Sequence, residues 1–87
     1  MFFPAEGDRI VVTRTMKGSA RSTSWVGTAT EVMPFHKSES GVWIGGWRLT
    51  GHNIATGEPE DSHFACSQSL ARYGHGEQTV RLATEED

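Results

Sequence analysis

The sequence predicts an all-β domain: five short antiparallel strands curled into a small barrel. Three observations predict it. Apolar residues alternate or cluster in runs rich in Val, Ile, Thr and Trp, with no long helical period. Ten glycines and three prolines punctuate those runs. The chain has 87 residues, enough for one domain and not two. Small all-β domains manage exposed strand edges by closing on themselves.

Residues 1–7 form an approach segment, in which Pro4 has no N–H for a sheet and Gly7 marks a turn. Asp8 to Thr15 reads as the first strand, with Ile10 and Val12 on one face and Val11 and Thr13 on the other. Arg14 to Arg21 crosses into a polar loop that carries Arg14, Lys17 and Arg21 around Gly18. Ser22 to Met33 is the second strand, bent at Gly27 so that it meets two neighbours, and ended by Pro34. Trp25 near its start reads as core. Pro34 to Gly41 is a turn-rich connection in which Phe35 stands as an aromatic contact residue.

Gly41-Val-Trp-Ile-Gly-Gly-Trp-Arg-Leu-Thr50 supplies the central strand. Without interruption neither of its faces is cleanly apolar. A one-residue bulge at Gly45-Gly46 flips the parity and puts Val42, Ile44, Trp47 and Leu49 on one face. Trp43 and Arg48 then face outward together. Burial of Trp47 alone is worth about 4–6 kcal/mol as an upper bound, from roughly 150–250 Å² of aromatic surface.

Gly51 to Asp61 reads as a mobile acidic loop. Ser62 to Ser67 is a short fourth strand with Phe64 and Cys66 inward and His63 toward solvent. Ser67 to Gly74 is the single helical candidate, a short 3₁₀ or α turn before the last strand, with Ser67 or Ser69 as cap and Leu70 and Tyr73 on one face. Glu77 to Ala83 is the fifth strand, with Val80 and Leu82 inward. Residues 84–87 make a frayed acidic tail.

Charge is mildly acidic, formally −3. Residues 1–44 carry five basic and four acidic side chains, and residues 45–87 three basic and seven acidic. The halves therefore sit at +1 and −4. A net-acidic chain is a poor general binder of phosphate backbones. The single cysteine, Cys66, allows no intramolecular disulfide and suits a reducing, cytoplasmic setting. The apolar start, Met1 to Pro4, is too short for a signal segment, and no run reaches transmembrane length, so no membrane partner is expected.

The opening Gly7-Asp-Arg-Ile-Val-Val-Thr13, the order of elements and the short turn before the last strand resemble SH3-like barrels in the broad sense. The resemblance covers the plan of the whole chain and transfers no specific ligand. The acidic and aromatic ligand pattern of signalling SH3 domains is missing. The small size and the Trp- and Gly-rich composition look like the short accessory proteins that bacteriophages encode.

The chemistry-bearing candidates are few. His63 and Cys66, three apart on a strand, diverge, so no metal site and no thiol dyad is expected. The carboxylate clusters at 58–61 and 85–87 lie in loose segments that would not hold acid–base geometry. Gly41 to Gly46 lacks the Lys-Ser/Thr of a phosphate loop. No catalysis and no cofactor is expected. The expectation is a non-enzymatic protein-binding module acting through Trp43, Arg48 and Phe35, toward a partner protein or a second copy, because Trp and Arg dominate interface hot spots. The alternative is a single-stranded nucleic-acid binder that sets Trp43 beside a basic groove of Arg48, Arg14, Lys17 and Arg21.

Overall fold

A computed structural model describes residues 2–66 and 76–87. It consists of five antiparallel strands: β1 (Arg9–Thr15), β2 (Ser22–Lys37), β3 (Trp43–Asn53), β4 (Pro59–Ala65) and β5 (Glu77–Leu82). They form one sheet in the order β4-β3-β2-β1-β5. Each strand hydrogen-bonds its sequence neighbour, except that β5 returns to the free side of β1. The helical turn expected at Ser67 to Gly74 lies outside the described residues.

The sheet is open, not closed as the sequence suggested. Among the described residues no main-chain ladder joins the edge strands β4 and β5. Side chains bridge them instead. Gln78 on β5 donates from Nε2 to the carbonyl of Ala65 at the end of β4, at 3.0 Å. Arg14 on β1 donates from Nε to Gln78 Oε1 at 2.6 Å and lies 4.3 Å from the centroid of the Phe64 ring on β4. One guanidinium thus touches both edges of the sheet.

The core lies inside the curl. Ile10, Val12, Ala29, Trp47, Leu49, Phe64 and Cys66 are buried together, with Phe3, Trp25, Val32 and Val80 packed at the margin. Rings meet edge to face at Phe3–Trp47 and Trp25–Phe64, with centroids 5.5 and 5.1 Å apart, a favoured aromatic geometry. Trp25, expected as core, packs at the core margin. The expected inward pair of β5 holds only in part: Val80 packs on the core, while Leu82 is exposed at the strand end. Val11 and Val26 are cross-strand partners on the opposite face and are buried too.

β2 and β3 cross closely at facing glycines. Gly27 is the register partner of Gly51. A Cβ on Gly51 would stand 1.9 Å from the Val26 carbonyl oxygen, and one on Gly27 2.4 Å from that of Thr50. No side chain fits between the two backbones. Gly27 thus sits where β2 serves two neighbours, β1 over residues 22–28 and β3 over residues 25–37.

Three boundaries differ from the sequence reading. Pro34 does not end β2, which runs on to Lys37. By that point β1 has dropped away, its last pair with β2 being Arg9–Thr28, so the missing proline N–H removes no ladder bond on that side. Residues 51–61 are not a loose loop: β3 continues to Asn53 and β4 begins at Pro59. Asn53 builds the hairpin turn between them. Its Oδ1 accepts from the amides of Ala55 and Thr56, and its carbonyl accepts from Gly57, which has φ +75°. The acidic tail is also tied down. Asp87 accepts two hydrogen bonds from the Arg81 guanidinium, at 2.7 and 2.9 Å, and one from the Thr84 amide at 2.8 Å.

Candidate functional site

β2 and β3 reach further than the rest of the sheet. β1 accompanies β2 only to Thr28, and β4 accompanies β3 only as far as Gly46. Cys66, just past β4, still donates to the Gly45 carbonyl, and beyond it residues 31–37 and 43–44 continue as a two-stranded ribbon, turned by Ser38 to Gly41. The Gly41 amide donates to the Ser38 carbonyl, and Gly41 has φ +84°. This ribbon is the candidate contact site.

The ribbon is kinked, but not where the glycine pair suggested. β3 pairs with β4 without interruption from Gly46 to His52. Against β3, β2 carries an extra residue between Thr30 and Met33 and another between Met33 and His36. The bulges therefore lie in β2. At the first, Glu31 adopts φ +46°, an unusual angle for a residue with a side chain. Gly45 and Gly46 serve close approach instead. A Cβ on Gly46 would meet the Phe64 carbonyl oxygen at 2.3 Å, and one on Gly45 the Cα of Phe35 at 2.8 Å.

The ribbon carries apolar side chains into solvent. Met33 is 44% exposed and Phe35 37%, while Val42 and Ile44 are half-buried. Ile44 is the cross-strand partner of His36, whose Nδ1 lies 2.6 Å from the Pro34 carbonyl oxygen. Trp43 pairs through its backbone with Lys37 at the ribbon's far end. The outward facing expected for its indole lies outside what the structure describes.

Arg48 stands at the base of the ribbon, opposite Thr30 and His63, and is not a bare cation. Its Nε donates to Asp61 Oδ1 at 2.8 Å, and a terminal nitrogen lies 3.9 Å from Glu31. Thr50 donates to the same Asp61 oxygen. The hydrogen bond from Arg48 holds the Asp61 carboxyl below its ordinary range, and the same bond raises the pKa of Arg48. Asp61 and Glu31, as the anchors of Arg48, were not found from sequence. Asp61 looked like loop, and only the cross-strand register with Thr50 brings it to Arg48.

The other three cations singled out from the sequence lie apart from the ribbon. Arg14 turns in toward Phe64 and Gln78, and loss of hydration lowers its pKa, opposed by the charge of Glu60. Lys17 and Arg21 are exposed in the β1–β2 connection, at the opposite end of β2 from Phe35. The residues singled out from sequence therefore fall into separate places. Phe35 and Trp43 share the ribbon, Arg48 sits at its base, Arg14 joins the core margin, and Lys17 and Arg21 sit on a distant loop. Met33 was not singled out, because alternation alone could not place it across a bulge from Gly46.

Among the described residues, no three His, Cys, Asp or Glu side chains lie together as a metal site would require, and no helix is long and apolar enough to cross a membrane. No family model, no curated protein and no solved structure matches the chain.

Proposed function

We propose that this chain is a non-enzymatic protein-binding module whose contact surface is the projecting β2–β3 ribbon, with Met33, Phe35 and Trp43 as anchors and Arg48 at the rim. One observation carries the reading: apolar side chains sit on a ribbon that neither β1 nor β4 accompanies. Apolar and aromatic residues raised on a projecting element match the anatomy of an interface core, and a paired arginine beside them matches a polar rim. Arg48, already held by Asp61 and Glu31, is preorganised for that role.

The mode of contact is side-chain docking. The edge of the ribbon on the β2 side carries Pro34, Lys37 and two bulges, devices that discourage pairing with a foreign strand. They weigh against edge-to-edge stacking of one copy on another and favour a separate partner. The likeness to short bacteriophage accessory proteins makes a host protein the partner we favour, in a reducing cytoplasm that suits the lone Cys66.

The fold behind this surface is, in our reading, an SH3-like barrel opened along the β4–β5 seam. The strand order, with β5 beside β1 and the others in sequence, supports that plan, as does the side-chain bridge from Gln78 to Ala65. The nucleic-acid alternative loses support from two of its four cations: Arg14 is directed into the core margin and Arg48 is engaged by Asp61.

A site-specific photo-crosslinker placed at position 33 or position 82 in the native cell tests the function. A discrete adduct from position 33 and none from position 82 is expected. Equal crosslinking from both exposed positions would remove the ribbon's claim.

A further inference from the structure

Residues 2–7 lie as a strap over the core, where Phe3 packs against an unusual residue. Trp47 is 1% exposed, and its indole Nε1 has no hydrogen-bond partner among the described residues. A buried donor left without an acceptor is costly, and a phenyl or leucyl side chain would fill a core without that cost. The indole is therefore more than filling. Its neighbour is Phe3, whose ring stands edge to face with it at 5.5 Å and 87°.

The strap's attachments are uneven. Its hinge end is well tied: Gly7 donates to the Ala29 carbonyl, Ala29 donates to the Asp8 carbonyl, and the Ala5 amide donates to Asp8 Oδ2. Gly7, at φ +91°, makes the turn. Residues 2–4 form no main-chain hydrogen bond among the described residues, and Pro4 has no N–H to give. Among the described residues they are held by packing, through Phe3 and the buried Pro4.

We infer that the strap is an internal occupant of a ligand site, with Phe3 filling a place that accepts an aromatic side chain from another molecule when the strap swings out about Gly7. The ligand class follows from what the strap covers. An aromatic ring meets the apolar floor around Trp47, as Phe3 does edge to face. The site lies under residues 2–4, and the inference stands independently of the ribbon.

Phe3→Ala in the full chain, titrated with N-acetyl-L-phenylalaninamide, tests this. The readout is the indole ¹H–¹⁵N resonance of Trp47. Saturable movement of that resonance in Phe3→Ala, with about tenfold weaker response or none in the wild type, is expected, because the internal ring competes. Phe2→Ala, altering the exposed neighbour, should respond like the wild type. A folded Phe3→Ala chain whose Trp47 resonance ignores the probe overturns the inference. Should Phe3→Ala not fold, native-state hydrogen exchange of the wild type decides. The strap predicts that the Trp47 indole N–H exchanges at least about tenfold faster than the Leu49 amide, through local opening. Exchange of both at the same global rate overturns it.

Discussion

Replacing Gly51 by Ala tests the strand crossing that places the ribbon. The added Cβ would lie 1.9 Å from the Val26 carbonyl oxygen, 2.5 Å from the Gly27 Cα and 2.8 Å from the Val26 carbonyl carbon. All three are backbone atoms of the paired strand, so no rotamer relieves the clash. The strands must part by about 1 Å, which takes a hydrogen bond of ordinary length beyond its working range. Overpacking costs roughly 1–3 kcal/mol, and weakening two ladder bonds adds about 0.5–1.5 kcal/mol each, for a total of about 2–6 kcal/mol. A domain of 87 residues has about 4–13 kcal/mol of stability in all, so the substitution removes a large share. Urea unfolding followed by tryptophan emission reads this directly. With a slope of about 1–3 kcal/mol/M, the midpoint should fall by at least about 0.7 M. Gly57→Ala is the comparison: its site is open but its φ is +75°, so only the backbone penalty of about 1–2 kcal/mol applies. A Gly51→Ala midpoint within about 0.3 M of wild type would refute the close crossing.

Arg14→Lys keeps the charge but loses the Nε bond to Gln78 and the planar stack on Phe64, and should lower stability by about 1–3 kcal/mol in the same assay. Asp61 should titrate below an ordinary aspartate, because Arg48 donates to its ionised form. A lowered folded-state pKa means a contribution present above the unfolded value, near 3.9, and lost as pH falls through the folded one. Carboxyl NMR should therefore show the Asp61 midpoint moving up toward the ordinary value in Arg48→Met. Arg81→Met should raise the Asp87 midpoint in the same way and leave that of Asp61 unchanged.

The core was legible where alternation is strict. Ile10 and Val12, Trp47 and Leu49, and Phe64 and Cys66 are pairs two residues apart, and each pair is buried. The five strands follow from those pairs and from the turns between them. The kink was misplaced because a glycine pair in a strand has two physical causes that look alike in sequence. Gly45 and Gly46 admit close backbones, while the extra residues that bend the ribbon fall at Glu31 and near Pro34 in the partner strand. Nothing in Glu31 announces a positive φ, since its type disfavours it. The engagement of Arg48 by Asp61, and of Arg14 by Phe64 and Gln78, depends on cross-strand register and on curl, which no local pattern encodes.

The claim that the ribbon is the binding surface is tested most directly by recovering crosslinked partners from native cells with wild type, Met33→Asp and Leu82→Asp. All three should keep the wild-type urea midpoint, since both side chains are exposed. Loss of the specific partner in Met33→Asp and its retention in Leu82→Asp is the predicted result. Retention in Met33→Asp, with the fold intact, would contradict the account.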